Sequence, residues 1–593
     1  MTQFIEPKYF TKAFTAFNEE LSLPTDCVPF TDAKFGLLNL QAIACGPSDI
    51  THELVLVIDN SGSMNDKCFG DNNKTQMEQA IYTLTKIIGY LEENPNIKAN
   101  VTIFKFDDKF KTVLERTTIT EENFERVEKL IKKIRPDGET NIEQALKETT
   151  KYISGLKTLY PSHQISHIFL TDGAVTKGQE RPLILKDYVD YTIYNYFIGY
   201  GSKHDYALLR TLSNFEKSSY HYIDALEKTG FVFGEILHNI THKVLYDCEI
   251  VIENGVIYNF KTNLYTNKLY IGDIIGESNK VYHLFSDHPT NCYVHLKAKS
   301  PAFREPLEIH IFQEIDNDTN FVNYAFRHRT LTLLGEVKKC QETFTNSSRY
   351  KHDVNYYSYE NISANKLKMQ NLFDEMRKYM EENDKQNKFI KMLCDDIHIS
   401  MKTFGTKYGN MCISSRQTSQ GTQQIYTVNT TPLDYVNVNV NVNVNSRSFS
   451  YNPYDLDEDV HQRGSSINFN NDSDSDEYNQ KGAASSFNNN LDGDSDEEIQ
   501  KAAPRPRQRS CGPSLSINPD PFDDYEVSKD CMEDSPYLTN TATNVMRSIS
   551  YNSEEEDDNN DNINKEDDSD SDSMPSLVPI NNDDSDSDDN DDQ

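Results

Sequence analysis

Residues 54–64 read LVLVIDNSGSM. Five apolar residues, Leu54 to Ile58, run straight into Asp59, and then a carboxylate and two hydroxyls alternate: Asp59, Ser61, Ser63. A short apolar run closed by a turn signal predicts a strand buried on both faces. Alternation through an extended turn puts the three oxygens on one side. Strand-end turn or N-cap chemistry needs only one of them. Three at every second position raise the question of a site.

Outward from this stretch, short apolar runs alternate with helical stretches. TQMEQAIYTLTKIIGYL (75–91) places Met77, Ala80, Ile81, Leu84, Ile87, Ile88 and Leu91 at helical spacing. NVTIFKF (100–106) predicts a second strand and TVL (112–114) a short third. ENFERVEKLIKKI is helical and stops at Arg135-Pro136. Asn141 opens another helix. SHIFLTDG (166–173), YTIYNYFIGYG (191–201) and SYHYI (219–223) read as strands, and 225–245 as a closing helix. Strands alternating with helices predict an α/β, doubly wound, mainly parallel sheet, in which ligands bind outside the carboxyl ends of strands. Asp59 and Asp172 both stand at such ends.

Beyond Cys248 the pattern changes to short alternating runs with Gly/Asn turns, an antiparallel β module. Two helical segments follow, with Phe326, Leu333, Leu334 and Val337 on one side of the first. Met369, Leu372, Phe373, Met376 and Met380 share one side of the second. These stripes read as packing faces, with a Met-rich partner groove as the alternative. VNVNVNVNVN (436–445) has strand periodicity but low complexity. Repeats such as NDSDSDEYNQ and DDSDSDSMPS lack the apolar surface to offset chain entropy, and resemble acceptors for an acid-directed kinase. The expected divisions are an N-terminal arm (a peripheral helix or poorly ordered) and lead-in strand (1–51), the α/β domain (52–245), the β module (246–320), a helical region (321–430) and a disordered acidic tail (431–593).

Composition narrows the function. The 593 residues exceed one hydrophobic core, only 36% are hydrophobic, and the formal net charge is -35. Tyr551–Gln593 holds 18 Asp+Glu against Lys565, so it carries -17 of that charge. Such a chain repels nucleic acid and anionic lipid, while basic proteins and divalent cations remain partners. None of the ten Cys forms a C-x-x-C or a zinc-spaced Cys/His cluster. MTQFIEPKYF lacks the charge and apolar core of a signal peptide, and no apolar run approaches a membrane span. The expectation is an intracellular, cytoplasmic protein with free thiols.

Two further segments converge on the opening stretch. PDGETNIEQAL (136–146) places Thr140 in a Gly-containing loop before a helix, and IFLTDGAVT (168–176) ends a strand at Asp172. Carboxylates and hydroxyls are hard ligands suited to Mg²⁺, Mn²⁺ or Ca²⁺. Five such oxygens leave room for an external carboxylate. The segments D-N-S-G-S (59–63), D-G-E-T-N (137–141) and T-D-G (171–173) resemble the metal-ion-dependent adhesion site (MIDAS) of von Willebrand factor type A (VWFA) domains, a Rossmann-like fold, over about 52–245. The resemblance implies Asp59, Ser61, Ser63, Thr140 and Asp172 as ligands of Mg²⁺, and a partner protein supplying an Asp or Glu. It departs where the family has Gly-Gly and this chain has Gly138-Glu139, which adds a charge near the metal. Residues 248–430 resemble the region after the type A domain in plant RING-type proteins. Those are ubiquitin ligases through a zinc-binding RING that this chain lacks, so ligase activity does not carry over. The asparagine-rich composition resembles proteins of giant amoebal viruses, for which virion or host cytoplasm would be the location.

The function implied is a metal-dependent protein-binding module in an intracellular scaffold or adaptor, and not an enzyme. The alternatives are a structural or assembly protein with a dispensable metal site, or a ubiquitin-pathway adaptor. His163, His167, His204 and His221 accompany no nucleophile motif. Asp107-Asp108 reads as a solvated loop or a second cation site, and Cys68 as an incidental thiol.

Overall fold

A computed structural model describes residues 5–12, 34–424, 525, 527 and 535–550, except 44–45, 69–70, 202, 224–228, 301–302, 315–319, 350–355 and 407. All of its elements fall in the unit formed by Met1–Asn439 and Val527–Gln593. The alternating 436–445 segment and the Ser-Asp repeats lie outside the described residues. Among the described residues no helix is long and apolar enough to cross a membrane.

Strands β1 (Ile5–Lys12) and β2 (Lys34–Ala42) precede β3 (His52–Asp59). Then come α1 (Gln76–Glu93), β4 (Ala99–Phe106), β5 (Phe110–Thr118), α2 (Glu121–Ile131), α3 (Ile142–Leu159), β6 (Gln164–Thr171), β7 (Tyr194–Tyr200), α4 (Tyr206–Leu212), β8 (Ser218–Ile223) and α5 (Thr229–Thr241). The sheet order is β8-β7-β6-β3-β4-β5, parallel except for β5 at one edge. The expected doubly wound sheet is therefore present, with β3 at its centre. Successive β3 side chains point to opposite faces. Leu54, Leu56 and Ile58 join the core under α1, α2 and α5, while Val55 and Val57 join the one under α3 and α4. A capping box fixes the start of α1, with Thr75 accepting from the Glu78 N–H and Glu78 accepting from the Thr75 N–H.

The following module is β9 (Lys243–Glu253), β10 (Val256–Asn259), β11 (Leu264–Thr266), β12 (Lys268–Ile275), β13 (Asn279–Ser286), β14 (Tyr293–Ser300), β15 (Phe303–Ile311) and β16 (Gln313–Glu314). It forms two sheets, β11-β10-β13-β2-β1-β16 and β12-β9-β14-β15. One core draws on both through Leu38, Leu40, Ile250, Ile252, Leu284 and Leu296. Four helices follow: α6 (Phe321–Arg349), α7 (Tyr356–Asn383), α8 (Lys388–Thr403) and α9 (Gly409–Thr422). Phe326, Leu333, Leu334, Val337, Met369, Leu372, Phe373 and Met376 are buried, as packing faces require.

Several local expectations change for long-range reasons. Residues 5–12 are a strand because β2 pairs with them from Ile5↔Ala42 to Lys12↔Phe35. β2 does not lead into the α/β sheet, where β4 and β6 already flank β3; it pairs with β13 from Lys34↔Ser286 to Gln41↔Asn279. The closing helix stops at Thr241 because Lys243 and Leu245 pair with Ile275 and Ile274. The second helical segment breaks before Asn387, whose side chain caps α8 at the Ile390 N–H, and α9 is a fourth helix.

One helix, α10 (Asn540–Ile549), lies within the segment expected to be a disordered tail. Its physical cause is α5, which is buried at every position but Phe231 and therefore needs cover on its outer side. Ala542, Val545, Met546 and Ile549 supply it at helical spacing. Gly230 and Gly234 let the two backbones approach: a Cβ on Gly234 would fall 2.7 Å from Met546 Cα, and one on Gly230 2.4 Å from Ser550 Cα.

Candidate metal centre

Every residue of the expected site stands at the carboxyl rim of the parallel sheet. Asp59 ends β3 and is fully buried, level with the ends of β4 and β6. Its Oδ1 accepts the Ser61 N–H at 2.8 Å and its Oδ2 accepts the Thr171 hydroxyl at 2.5 Å. The Ser61 and Ser63 hydroxyls lie 3.1 Å apart, and Ser63 Oγ donates to Asp172 Oδ1 at 2.8 Å. A Cβ on Gly173 would lie 3.2 Å from Ser63 Oγ and 3.6 Å from Thr140 Oγ1. The Thr140 hydroxyl therefore faces the same small space as Ser63.

The Thr140 loop is held by backbone bonds. Gly62 N–H donates to Gly138 O, Asp137 N–H to Asn60 O, and Thr140 N–H to Thr176 Oγ1 at 2.8 Å. Gly138 has φ +74°, and a Cβ there would lie 3.1 Å from both Asp107 Cβ and Asp108 Oδ1. Glycine is required on both counts. Glu139 is not in the site: it is exposed, with its carboxylate 3.8 Å from Lys177 Nζ. The charge expected near the metal turns outward.

Asp107 is a correction of a different kind. It is neither solvated nor placed as a second cation site, but buried as a brace. Its Oδ2 accepts from Asn60 Nδ2 at 3.1 Å, its Oδ1 from the Lys109 N–H at 2.7 Å, and its carbonyl from the Asn141 N–H at 3.0 Å. One aspartate thus ties the end of β3 to the start of α3. Asn60, Thr171 and Thr176 were not singled out in the sequence, and Asp107 was, but not as a brace. Asp107 gives the same signal as Asp59 and Asp172, a carboxylate directly after an apolar strand.

The electrostatics favour a cation. Burial pushes the Asp59 carboxyl up to about 6, against the pull of the Thr171 and Ser61 hydrogen bonds. Burial first, and then the charge of Asp59, push Asp172 up to about 7. Among the described residues neither carboxylate has an ion-pair partner, so two like charges share a dry site. Two carboxylates and three hydroxyls fit a hard divalent ion. Among the described residues, no group of three or more His, Cys, Asp and Glu offers an alternative centre.

The histidines are structural. His163 bonds Glu53, His167 bonds Asn195, His204 lies between Gly201 O and Tyr220, and His221 bonds Ser219. Cys68 is a buried thiol without a disulfide.

Residues 54–174 match the family model described as the von Willebrand factor type A domain. A solved von Willebrand factor type A protein from Catenulispora acidiphila is 15% identical, with 66% of this chain and 89% of that chain covered and a TM-score of 0.43. The ArnB paralog VWA2 from Sulfolobus acidocaldarius is 15% identical over 71% and 99%, at 0.40. Proximal thread matrix protein 1 from the mussel byssus is 17% identical over 31% and 46%, at 0.25. At these values the solved neighbours carry no functional argument. No curated protein matches.

Proposed function

We propose that the von Willebrand factor type A domain of this chain is a metal-dependent protein-binding module. Asp59, Ser61, Ser63, Thr140 and Asp172 would hold one Mg²⁺, with Mn²⁺ or Ca²⁺ as substitutes. The observation that carries the reading is a pair of buried carboxylates without ion-pair partners, set among three hydroxyls at the sheet's carboxyl rim.

When bound, the cation would supply an electrophilic centre that an Asp or Glu of a partner protein ligates. The chain's own residues do the rest. Asp59 is held on both oxygens, by the Ser61 N–H and the Thr171 hydroxyl, so its orientation is fixed before any ion arrives. Asp172 is fixed by Ser63, and the Thr140 loop by Gly138, Asp107 and Thr176. This preorganisation suits capture rather than turnover, because among the described residues no side chain at the rim is placed as nucleophile and base. We place the protein in the cytoplasm, as an adaptor or scaffold.

The test is cross-linked capture of partners by the full chain and by Asp59→Ala, each with Mg²⁺ or with EDTA, folding being matched by circular dichroism. Capture by the wild type with Mg²⁺ alone is expected. Equal capture in all four arms would overturn the reading and leave a scaffold whose metal site is dispensable.

A further inference from the structure

Away from the metal rim, the α/β domain, the β module and the helical region enclose a cleft of about 400 Å³. That is the size of a small-ligand site. Of the basic side chains that line it, three come from separate parts of the chain: Arg210 of α4, Lys261 after β10, and Lys338 of α6. In a chain of net charge -35, this is an unusual concentration of positive charge.

The cations are not matched by carboxylates. Lys338 Nζ donates to the side-chain oxygen of Gln417 at 2.6 Å, and Lys261 Nζ to the carbonyls of Phe215, Glu216 and Ser218 at 3.0–3.3 Å. The Arg210 guanidinium has neither a hydrogen bond nor an ion pair among the described residues. Other charges on the wall have partners: Arg327 donates to the carbonyls of Val281 and Gln420, and Lys280 to that of Asp273. Lys217 pairs with Asp247, and Asp273 with Lys243 and the Tyr194 hydroxyl. Glu342 accepts from Tyr206 at 3.3 Å and, like Glu216, offsets part of the field without pairing with the cleft cations. Burial, and next the charge of Arg210, push Lys338 down to about 7 and Lys261 down to about 8. An uncompensated buried charge is costly. Lys338 is buried, and Lys261 and Arg210 are half-buried; three cations without a carboxylate partner among the described residues, around a solvent-reaching space, make a receptor for an anion.

We infer that this cleft is a second binding site, for a small phosphate-bearing molecule. The chemistry follows from the donors. A planar guanidinium with all its N–H groups available grips two phosphate oxygens at once, and two ammonium groups add point charges around it. The volume fits a phosphate ester or short polyphosphate better than a peptide chain. The site is independent of the metal rim.

Isothermal titration of the full chain with inorganic phosphate and with pyrophosphate tests this, in EDTA and with chloride matching the ionic strength. Saturable one-to-one binding is expected, tighter for pyrophosphate. Arg210→Gln should weaken it at least tenfold, Arg210→Lys less, and Asp59→Ala not at all. Lys338→Met should also weaken it tenfold or more, while raising the melting temperature of the ligand-free protein. A merely structural lysine would lower that temperature. Absence of saturable binding up to millimolar anion, or equal binding by Arg210→Gln, would overturn the inference. So would binding of a phosphoserine peptide with none of a nucleoside or sugar phosphate, since that would replace the small ligand by a protein one.

Discussion

The metal rim and the cation cleft are opposites in sign and in origin. The rim gathers oxygens from two strand-end loops and the loop between α2 and α3 of one domain, and its residues lie in compact motifs. The cleft gathers cations from three parts of the chain, 51 and 77 positions apart, none in a motif. Both leave charge without an ion-pair partner among the described residues, and each is proposed to take a ligand of opposite charge. The difference teaches that a site built on a parallel sheet is announced by its strand ends, whereas a site built between modules is announced only by their packing.

The largest effect expected is that of Asp59→Ala. Mn²⁺ affinity by titration should fall at least a hundredfold, with phosphate binding unchanged. Retained metal affinity would show that the rim is not the metal centre and would break the comparison. Lys338→Met is the reciprocal variant: Mn²⁺ affinity should stay within twofold of wild type while phosphate binding weakens tenfold or more. A change in both would mean that the two regions are coupled. Next comes Gly138→Ala, which forces a side chain into φ +74° and against Asp107. Denaturant unfolding should show a loss of about 1–3 kcal/mol, with weaker metal binding because Thr140 moves. The smallest effect is that of Glu139→Gly, which restores the family's Gly-Gly pair. Metal affinity should change by less than threefold, because Glu139 is exposed and, among the described residues, pairs with Lys177. A larger change would place that carboxylate nearer the ion than the described geometry does.

How much was legible can be judged from particular residues. Met77 through Leu91 at helical spacing, and Leu54 to Ile58 as an apolar run, gave α1 and β3 because both pack against the same local core. The five proposed ligand positions were legible because compact motifs carry them: Asp59, Ser61, Ser63 and Asp172 at or just past strand ends, and Thr140 in the loop before α3. The partner of β2 was not. An alternating strand carries no label for the strand it will pair with, and β13 is more than 230 residues away. Nor was α10 legible, since Ala542, Val545, Met546 and Ile549 form an apolar stripe inside a polar, acidic stretch. The stripe acquires meaning only against Gly230 and Gly234. Asp107 looked solvated because a carboxylate after a strand usually is, and only its bonds to Asn60 and Asn141 show it as a brace.

The sequence by itself determined the doubly wound sheet and the identity of its rim oxygens, because periodicity and strand-end chemistry are local and survive without knowledge of partners. Tertiary structure alone decided that residues 5–42 complete a sheet begun two hundred residues later, that a helix near residue 545 covers α5, and that Arg210, Lys261 and Lys338 meet. Each of these depends on which surfaces remain uncovered once the local elements have formed, and burial of those surfaces is a property of the whole chain.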